Sequence, residues 1–174
     1  MTNYTILSFD EISSTSDLLK EHFSSFSHFT IIKSKYQSQG RGQFDRIWES
    51  NKDENLLFSI LLKDLEVSHL AYLKRWIIYG LQKVLKSYGV SSRFREPNDI
   101  YVNDQKICGI LFETRTQHEM FTYVVIGIGL NVNQSDFEGL NATSIKNQIE
   151  KEVNQDQLFE SLLNILLETY KLPS

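Results

Sequence analysis

Short apolar segments bounded by polar turns recur along the chain, and only two segments have the spacing of a long amphipathic helix. Residues 56–62 form a compact apolar run, which is typical of a buried strand. Residues 68–88 carry apolar side chains at helical spacing, at Leu70, Leu73, Ile77, Leu81 and Val84. A second helical stripe consists of Leu158, Leu162, Ile165 and Leu166. Strands interleaved with so few helices predict an α/β or α+β fold, with one mixed sheet and helices on a face.

The remaining strands are separated by polar turn residues. They are predicted at residues 4–9, 28–33, 91–94, 100–102, 106–113 and 121–132. Asn103 and Asp104 tolerate turn conformations and join two of these strands. The oxygen-bearing side chains of residues 13–17 can cap a short helix that continues through Leu18. Residues 35–55 are polar and irregular, which predicts a long loop.

The composition is typical of one folded domain of 174 residues. With 18 basic and 22 acidic residues the net charge is −4, which argues against non-specific binding to nucleic acid. Cys108 is the single cysteine, so an internal disulfide is impossible and a reducing compartment is expected. Neither a signal peptide nor an apolar run of about 20 residues is visible, so we expect a cytoplasmic protein without membrane contact.

The loop carries the first pattern that indicates chemistry. Gly40 and Gly42 flank Arg41, so the backbone can bend closely around a ligand while the guanidinium reaches an anion. Arg46 and the aromatic Trp48 follow within the same loop. Such a loop could fold over a phosphate-containing ligand and exclude water. A surface loop with incidental arginines is an equally good interpretation of these residues alone.

Two later segments bear polar groups at strand ends. Asn98 and Asp99 follow a proline at the entrance to a strand, and Lys106 begins the next strand. Taken alone, Lys106 is more often a solvated hairpin lysine than a ligand-binding group. Gly127 and Gly129 alternate in the last strand, which indicates close approach either of a ligand or of a packed neighbour.

Together these segments resemble the catalytic domain of the biotin–protein ligases. The family pattern runs Ser-Thr-Asn, Gln-x-x-Gly-Arg-Gly with a following Arg and Trp, Lys-Trp-Pro-Asn-Asp, Lys-x-x-Gly-Ile-Leu-x-Glu, and Gly-x-Gly-x-Asn. Matching segments occur in that order, and Ala142-Thr143-Ser144 further resembles the family's Ala-Thr-Ser-Leu, so the resemblance spans residues 4–144. The resemblance implies the α+β fold that biotin and lipoate ligases share with class II aminoacyl-tRNA synthetases, a mixed sheet sandwiched with helices.

The resemblance also implies an activity and its residues. Biotin and ATP, with Mg²⁺, would form biotinyl-5'-AMP, and the biotin would then pass to a lysine of a biotin carboxyl carrier protein. The positions that match the family's biotin-binding residues are Ser14, Thr15, Gln37, Gly40, Arg41, Lys106, Gly109 and Ile110. Those that match its nucleotide-binding residues are Gly42, Gln43, Arg46, Trp48, Asn98 and Asn131. The catalytic set is Lys106, Arg41 and Asp99, and Asp99 also matches a position linked to Mg²⁺.

The chain departs from the family pattern at three places. Ser16 replaces the asparagine, Gln43 stands where many members have arginine, and Arg95-Glu96 replaces Lys-Trp. We expect a single catalytic domain over residues 1–174, without a helix-turn-helix module before it or an SH3-like barrel after it. DNA binding is therefore not expected, and the protein is expected to act as a monomer or a homodimer.

Two other functions are compatible with these residues. A lipoate ligase or transferase shares the fold and the lysine chemistry, although the Gly-Arg-Gly loop and the Pro-Asn-Asp turn favour biotin. A non-catalytic binder of biotin or biotinyl-AMP is the second alternative. It is suggested by Glu96, which puts a carboxylate near an anionic ligand, and by the short segment after the last helix.

Overall fold

The computed structural model describes residues 2–44 and 46–172. Met1, Asp45, Pro173 and Ser174 belong to the expected domain of residues 1–174 but lie outside the described residues. The chain divides into two compact units. Unit 1 comprises Met1–Ser68 and Ile110–Gly129, and unit 2 comprises His69–Gly109 and Leu130–Ser174. The expectation of one catalytic domain stays a prediction.

Eight strands and four α-helices lie within the described residues. The strands are β1 (Thr5–Phe9), β2 (Thr30–Ser34), β3 (Asn55–Leu62), β4 (Leu65–Glu66), β5 (Arg93–Arg95), β6 (Asp99–Val102), β7 (Gln105–Gln117) and β8 (Met120–Asn131). The helices are α1 (Thr15–Glu21), α2 (Leu70–Ser87), α3 (Ile145–Ile149) and α4 (Gln155–Thr169), and a 3-10 turn (Val67–His69) precedes α2. Strands β7 and β8 contribute residues to both units.

Unit 1 contains the strand order β1-β2-β3-β8-β7, and β4 pairs with β8. β1 runs parallel to β2, with Thr5 opposite Thr30, whereas β2 runs antiparallel to β3. All eight residues of β3 are buried, as expected for a strand with neighbours on both sides. The buried strand predicted at residues 56–62 is therefore confirmed, and so is the mixed character of the sheet.

Helix α1 packs on this sheet through a short apolar stripe. Leu19 forms a fully buried cluster with one residue from each of three strands, namely Ile32, Leu61 and Val125. The helix begins where the side chain of Ser14 accepts a hydrogen bond from the backbone N–H of Asp17, at 3.2 Å. The predicted capping segment therefore places the N-terminus of α1 against the sheet.

Unit 2 is built from the antiparallel order β7-β6-β5 and from helices α2 and α4. The indole Nε1 of Trp76 donates a hydrogen bond to the carbonyl oxygen of Leu166, at 3.0 Å. A Cβ at Gly80 would lie 2.5 Å from a methyl carbon of Leu166, so glycine permits the two helices to approach closely. The tyrosine that follows α4, Tyr170, packs its ring 5.1 Å from that of Trp76, and burial raises its pKa to about 12.

Most predicted elements are found with small shifts in their bounds. The helix predicted at residues 68–88 is α2, and the strand predicted at residues 106–113 continues as β7 to Gln117. Strand β4 and helix α3 were not predicted, because two and five residues are too short to show a period. In the described part of the chain no helix is both long and apolar enough to cross a bilayer.

Leu61→Ala tests the core of unit 1. Because Leu61 is fully buried, we expect a loss of about 2–5 kcal/mol in the free energy of unfolding. Leu140→Ala is the matched control: its side chain is 65 % exposed, so its effect should stay within about 0.5 kcal/mol. Urea unfolding measures both, and equal effects would contradict the assigned core.

His28 predicts a pH dependence of stability. Its Nδ1 lies 3.1 Å from the backbone N–H of Lys63, and burial lowers its pKa below the ordinary value of 6.5. Below that value the unfolded chain binds a proton that the folded chain resists, so stability falls as the pH falls. We expect urea unfolding between about pH 7 and about pH 5.5 to show this loss, and His28→Gln to reduce it. An identical slope in the variant would assign the pH dependence to other groups.

Candidate active site

The loop of unit 1 folds back on itself as a narrow ribbon. The backbone N–H of Trp48 donates to the carbonyl oxygen of Gly40 at 2.9 Å, and that of Gly42 donates to Arg46 at 2.7 Å. A Cβ at Gly40 would lie 2.5 Å from the carbonyl oxygen of Trp48, which explains the glycine. Arg41 pairs with Ile47 between these bonds, so the Gly-Arg-Gly motif is held by backbone contacts.

A chain of buried hydroxyls anchors the start of this loop. Oε1 of Gln37 accepts hydrogen bonds from the backbone N–H and the hydroxyl of Thr15, at 2.8 and 3.0 Å. The Thr15 and Ser16 hydroxyls lie 2.7 and 2.8 Å from that of Ser59 on β3. Ser59 is completely buried, so these polar groups have their partners inside the protein.

The direction of the hydrogen bonds along this chain follows from the number of protons. Thr15 has one hydroxyl proton and donates it to Gln37, so Ser59 must donate to Thr15 and Ser16 to Ser59. Oε1 of Gln37 then has both lone pairs occupied. The group that Gln37 can offer to a ligand is therefore its Nε2 amide, which is a donor.

An open cleft of about 480 Å³ lies beside the loop within unit 1. It is lined by loop residues together with parts of α1 and β7: Asp17, Ser38, Gln39, Gly40, Arg41, Gly42, Gln43, Phe44, Arg46, Ile47, Leu111, Phe112 and Glu113. Phe44 and Ile47 are 84 % and 72 % exposed. The cleft thus combines two arginines with exposed apolar side chains, a mixture that suits an anionic ligand with an apolar part.

The arginine of the motif is ion-paired at the cleft. Nη2 of Arg41 contacts Oε1 of Glu113, and Nη1 lies 3.4 Å from Oδ1 of Asp17. Lys20 on α1 lies 2.8 Å from each of the same two carboxylate oxygens. Sequence reasoning missed this cluster, because its members come from α1, the loop and β7 and share no local pattern.

The alternating glycines of β8 accommodate protein side chains. A Cβ at Gly127 would lie 2.6 Å from the Ser16 hydroxyl, and one at Gly129 would lie 2.3 Å from the ring of Trp48. Of the two interpretations of these glycines, packing of a neighbour therefore has a direct structural basis. Trp48 is accordingly fixed by Gly129 as well as by its backbone bond to Gly40.

In unit 2, Lys106 forms an ion pair with Asp99. Nζ of Lys106 lies 2.8 Å from Oδ1 of Asp99, and the two side chains are 30 % and 23 % exposed. The backbone of Lys106 is also fixed, since its N–H donates to Asn141 and its carbonyl accepts from Thr143. A half-buried, ion-paired lysine is not the solvated hairpin lysine that is the commoner interpretation of such a residue.

Asn131 and the segment after it form a second polar network in unit 2. The amide of Asn131 donates to the carbonyl oxygen of Thr143 at 3.0 Å, and both residues are buried. Ser144 then caps α3 by accepting from the N–H of Asn147, at 3.1 Å. The Ala-Thr-Ser motif therefore has a local role: it begins a helix, which the N-cap preference of Ser144 could have indicated.

The substitution of Arg95-Glu96 for Lys-Trp is explained in part. The guanidinium of Arg95 lies 4.0 Å above the ring of Tyr101 and its Nη2 lies 3.3 Å from Asp104, so Arg95 is held within its own hairpin. Glu96 is exposed, and its peptide bond to Pro97 is cis. Neighbouring Asn98 is half-buried, and Gly109 pairs with Asp99 across the strands.

The described residues do not form a preorganised metal site. In residues 2–44 and 46–172 no group of three His, Cys, Asp or Glu side chains could hold an ion. Asp99, the predicted Mg²⁺ residue, has Oδ1 on Lys106. Cys108 is completely buried, and burial raises the pKa of its thiol, which makes it a core residue rather than a nucleophile.

The structure places the predicted residues in two groups, one in each unit. Unit 1 contains Ser14, Thr15, Gln37, Gly40, Arg41, Gly42, Gln43, Arg46, Trp48 and Ile110, and unit 2 contains Asn98, Asp99, Lys106, Gly109 and Asn131. Within unit 1, Thr15 contacts Gln37, and Arg41 and Arg46 line one cleft. Within unit 2, Lys106 contacts Asp99. The binding and catalytic roles of these residues stay predictions.

The sequence is similar to that of a protein-ligase family and to individual ligases. The sequence profile of the biotin/lipoate A/B protein ligase family matches residues 8–131. Biotin–protein ligase 2 of Arabidopsis thaliana is 31 % identical over 140 residues, covering 75 % of this chain and 42 % of that protein. The bifunctional ligase/repressor BirA of Bacillus subtilis is 31 % identical over 107 residues, covering 60 % and 33 %.

The fold agrees with a solved structure. The biotin protein ligase of Aquifex aeolicus in complex with biotin and ATP superimposes with a TM-score of 0.81 at 26 % identity, over 94 % of this chain and 69 % of that one. The predicted α+β fold of the biotin protein ligases is thereby confirmed. The chain belongs to the biotin/lipoate A/B protein ligase family. It spans 42 % of the length of the Arabidopsis relative and 33 % of the length of the Bacillus relative.

Gly129→Ala tests how the loop is held. An added methyl must displace the ring of Trp48, whereas Gly42→Ala meets its nearest atom at 3.4 Å, an ordinary contact. In a Trp76→Phe background, where Trp48 is the one remaining tryptophan, we expect Gly129→Ala to shift its fluorescence to longer wavelength. The overpacked variant should also lose about 1–3 kcal/mol of stability. An unshifted spectrum would show that Trp48 does not lie against Gly129.

Proposed function

We propose that this protein is a biotin–protein ligase, which activates biotin with ATP and transfers it to a lysine of a biotin carboxyl carrier protein. The observation that carries the proposal is the loop of unit 1, which has the family's Gln-x-x-Gly-Arg-Gly motif and borders a cleft with two arginines. Its relatives in two organisms are named biotin–protein ligase or ligase/repressor. A related structure holds biotin and ATP.

Recognition of biotin would rest on the hydroxyl chain. The ureido ring of biotin carries one carbonyl acceptor and two N–H donors. Gln37 offers donors through Nε2, and the buried hydroxyl of Thr15 retains a lone pair after the bonds to Gln37 and Ser59. Since these groups are already oriented by the protein, binding would need little ordering of side chains.

The first chemical step would be adenylation. A carboxylate oxygen of biotin attacks the α-phosphorus of ATP, the bond to the bridging oxygen breaks, and pyrophosphate leaves. Negative charge accumulates on the phosphoryl oxygens, and we assign its stabilisation to the ammonium group of Lys106. The role that we assign to Arg41 is to close over biotin and its adenylate. Asp99 would orient the ammonium of Lys106 through their 2.8 Å contact.

The second step would be acyl transfer. The unprotonated Nζ of the carrier lysine attacks the carbonyl carbon of biotinyl-AMP, the bond to the phosphate oxygen breaks, AMP leaves, and the amine nitrogen gives up a proton to water as the amide forms. The loop would protect the anhydride from water before the carrier arrives. Neither step forms a covalent bond to the enzyme, so the protein contributes mainly positioning and electrostatics.

Several further features belong to the proposal. Any Mg²⁺ would be bound mainly by the phosphates of ATP, as is usual for this ion, since the described residues form no cage for it. A buried thiol as the single cysteine suits a reducing compartment such as the cytoplasm. The partner that we propose is the carrier protein rather than a nucleic acid or a membrane. We also propose that the protein acts as a monomer or a homodimer.

The decisive measurement is biotin-dependent exchange of labelled pyrophosphate into ATP. We expect exchange by the unmodified protein and a loss of about 10²-fold or more in Lys106→Ala, because a preorganised charge opposite the reacting phosphate would be gone. Lys35→Ala is the control, since Lys35 is an exposed lysine paired with Asp10.

Each alternative has its own result in this assay. The family also includes lipoate ligases, and exchange with lipoate or octanoate but not biotin would assign the protein to them. Stabilisation by biotin without exchange would indicate a binder. Full exchange in Lys106→Ala would remove Lys106 from the mechanism.

A further inference from the structure

Two cations share two carboxylates at the cleft of unit 1. Lys20 lies 2.8 Å from Oδ1 of Asp17 and 2.8 Å from Oε1 of Glu113. Arg41 reaches the same two oxygen atoms. No described residue donates to the other oxygen of Glu113, Oε2, although this atom is buried. The two cations therefore contact one pair of acceptor atoms at the same time.

The two cations differ in their freedom to move. Arg41 lies on the loop and its side chain is 42 % exposed, whereas Lys20 lies on α1 and is 19 % exposed. Burial opposes the charge of Lys20, but hydrogen bonds to Asp17 and Glu113 outweigh this effect and raise its pKa. Arg41 is thus the member that can leave the cluster, and Lys20 is the member that stays charged behind it.

Departure of Arg41 has an electrostatic cost that Lys20 reduces. A carboxylate that is partly buried is destabilised when its cation is removed. If Arg41 turned to an anionic ligand, Lys20 would still lie within 2.8 Å of both carboxylates. Without Lys20, Arg41 would be the single counter-charge of two carboxylates and would be held on them.

We propose that Lys20 is a positioning residue: it keeps Asp17 and Glu113 paired, so that Arg41 can exchange from these carboxylates to an anionic acyl-adenylate. This inference rests on the proposed function, since it assumes that Arg41 binds such a ligand. Lys20 itself need not touch the ligand. None of the family motifs in this chain includes it.

A series of charge variants tests the inference. The cluster has two cations and two carboxylates in the unmodified protein. Lys20→Met leaves one cation with two carboxylates, and Lys20→Met/Glu113→Gln leaves one cation with one carboxylate. The ligand is biotinol-5'-AMP, a stable analogue of the acyl-adenylate, and its Kd is measured by calorimetry. Because these pairs are partly exposed, we expect Lys20→Met to weaken binding only about tenfold.

The double variant separates charge balance from a structural role. Removing one carboxylate should release Arg41, so we expect the double variant to bind within about threefold of the unmodified protein. Lys20→Arg should retain binding, because it keeps the charge. Lys35→Met, which removes an exposed lysine from an ion pair with Asp10, is the matched control and should bind normally.

Each outcome bears on the inference. A double variant as weak as Lys20→Met, or weaker, would overturn it, as would unchanged binding in Lys20→Met. If Lys20→Met is too unstable to purify, Glu113→Gln alone decides: binding at least as tight as in the unmodified protein supports the inference, and weaker binding overturns it. If the unmodified protein binds neither biotin nor the analogue, the proposed function fails and the inference fails with it.

Discussion

The completely buried hydroxyl of Ser59 connects the sheet of unit 1 to the loop that carries the Gly-Arg-Gly motif. It bonds to Thr15 and Ser16 at the start of α1, and Thr15 in turn holds Gln37 at the start of the loop. A hydroxyl buried inside a strand is costly unless it is hydrogen-bonded. The same bonds that meet this requirement orient the polar groups to which we assign biotin. In this proposal the same hydrogen bonds therefore stabilise the strand and preorganise the site.

The charged groups at the cleft also combine a structural contact with a proposed binding role. A site for an anionic ligand would ordinarily exclude carboxylates, yet Asp17 and Glu113 line this one. The carboxylates hold Arg41 in place while no ligand is bound, and Lys20 makes the arrangement reversible in our proposal. In unit 2 the pair of Lys106 and Asp99 is simpler, since one cation lies 2.8 Å from one carboxylate oxygen. The two units thus orient their cations in different ways.

The elements with a strong periodic signal could be predicted, and the shortest could not. Strand β3 and helix α2 follow directly from the apolar run of residues 56–62 and the helical stripe from Leu70 to Val84. Strand β4 and helix α3 span two and five residues, too few for a period, although Ser144 is a recognisable cap. The glycines at 127 and 129 left a choice between ligand and protein that the sequence could not make. It is resolved by Ser16 and Trp48, which are far away in the chain.

The sequence by itself determined the fold class and the identity of the family motifs, because both depend on local order: periodicity along a segment and the succession of residues within a loop. Only the tertiary structure decided which charges and hydroxyls meet. Lys20 and Glu113 are separated by 93 positions, and Thr15 and Ser59 by 44, yet each pair is in hydrogen-bonding contact. No propensity or spacing encodes such contacts, because they arise when α1, the loop and the strands pack against one another.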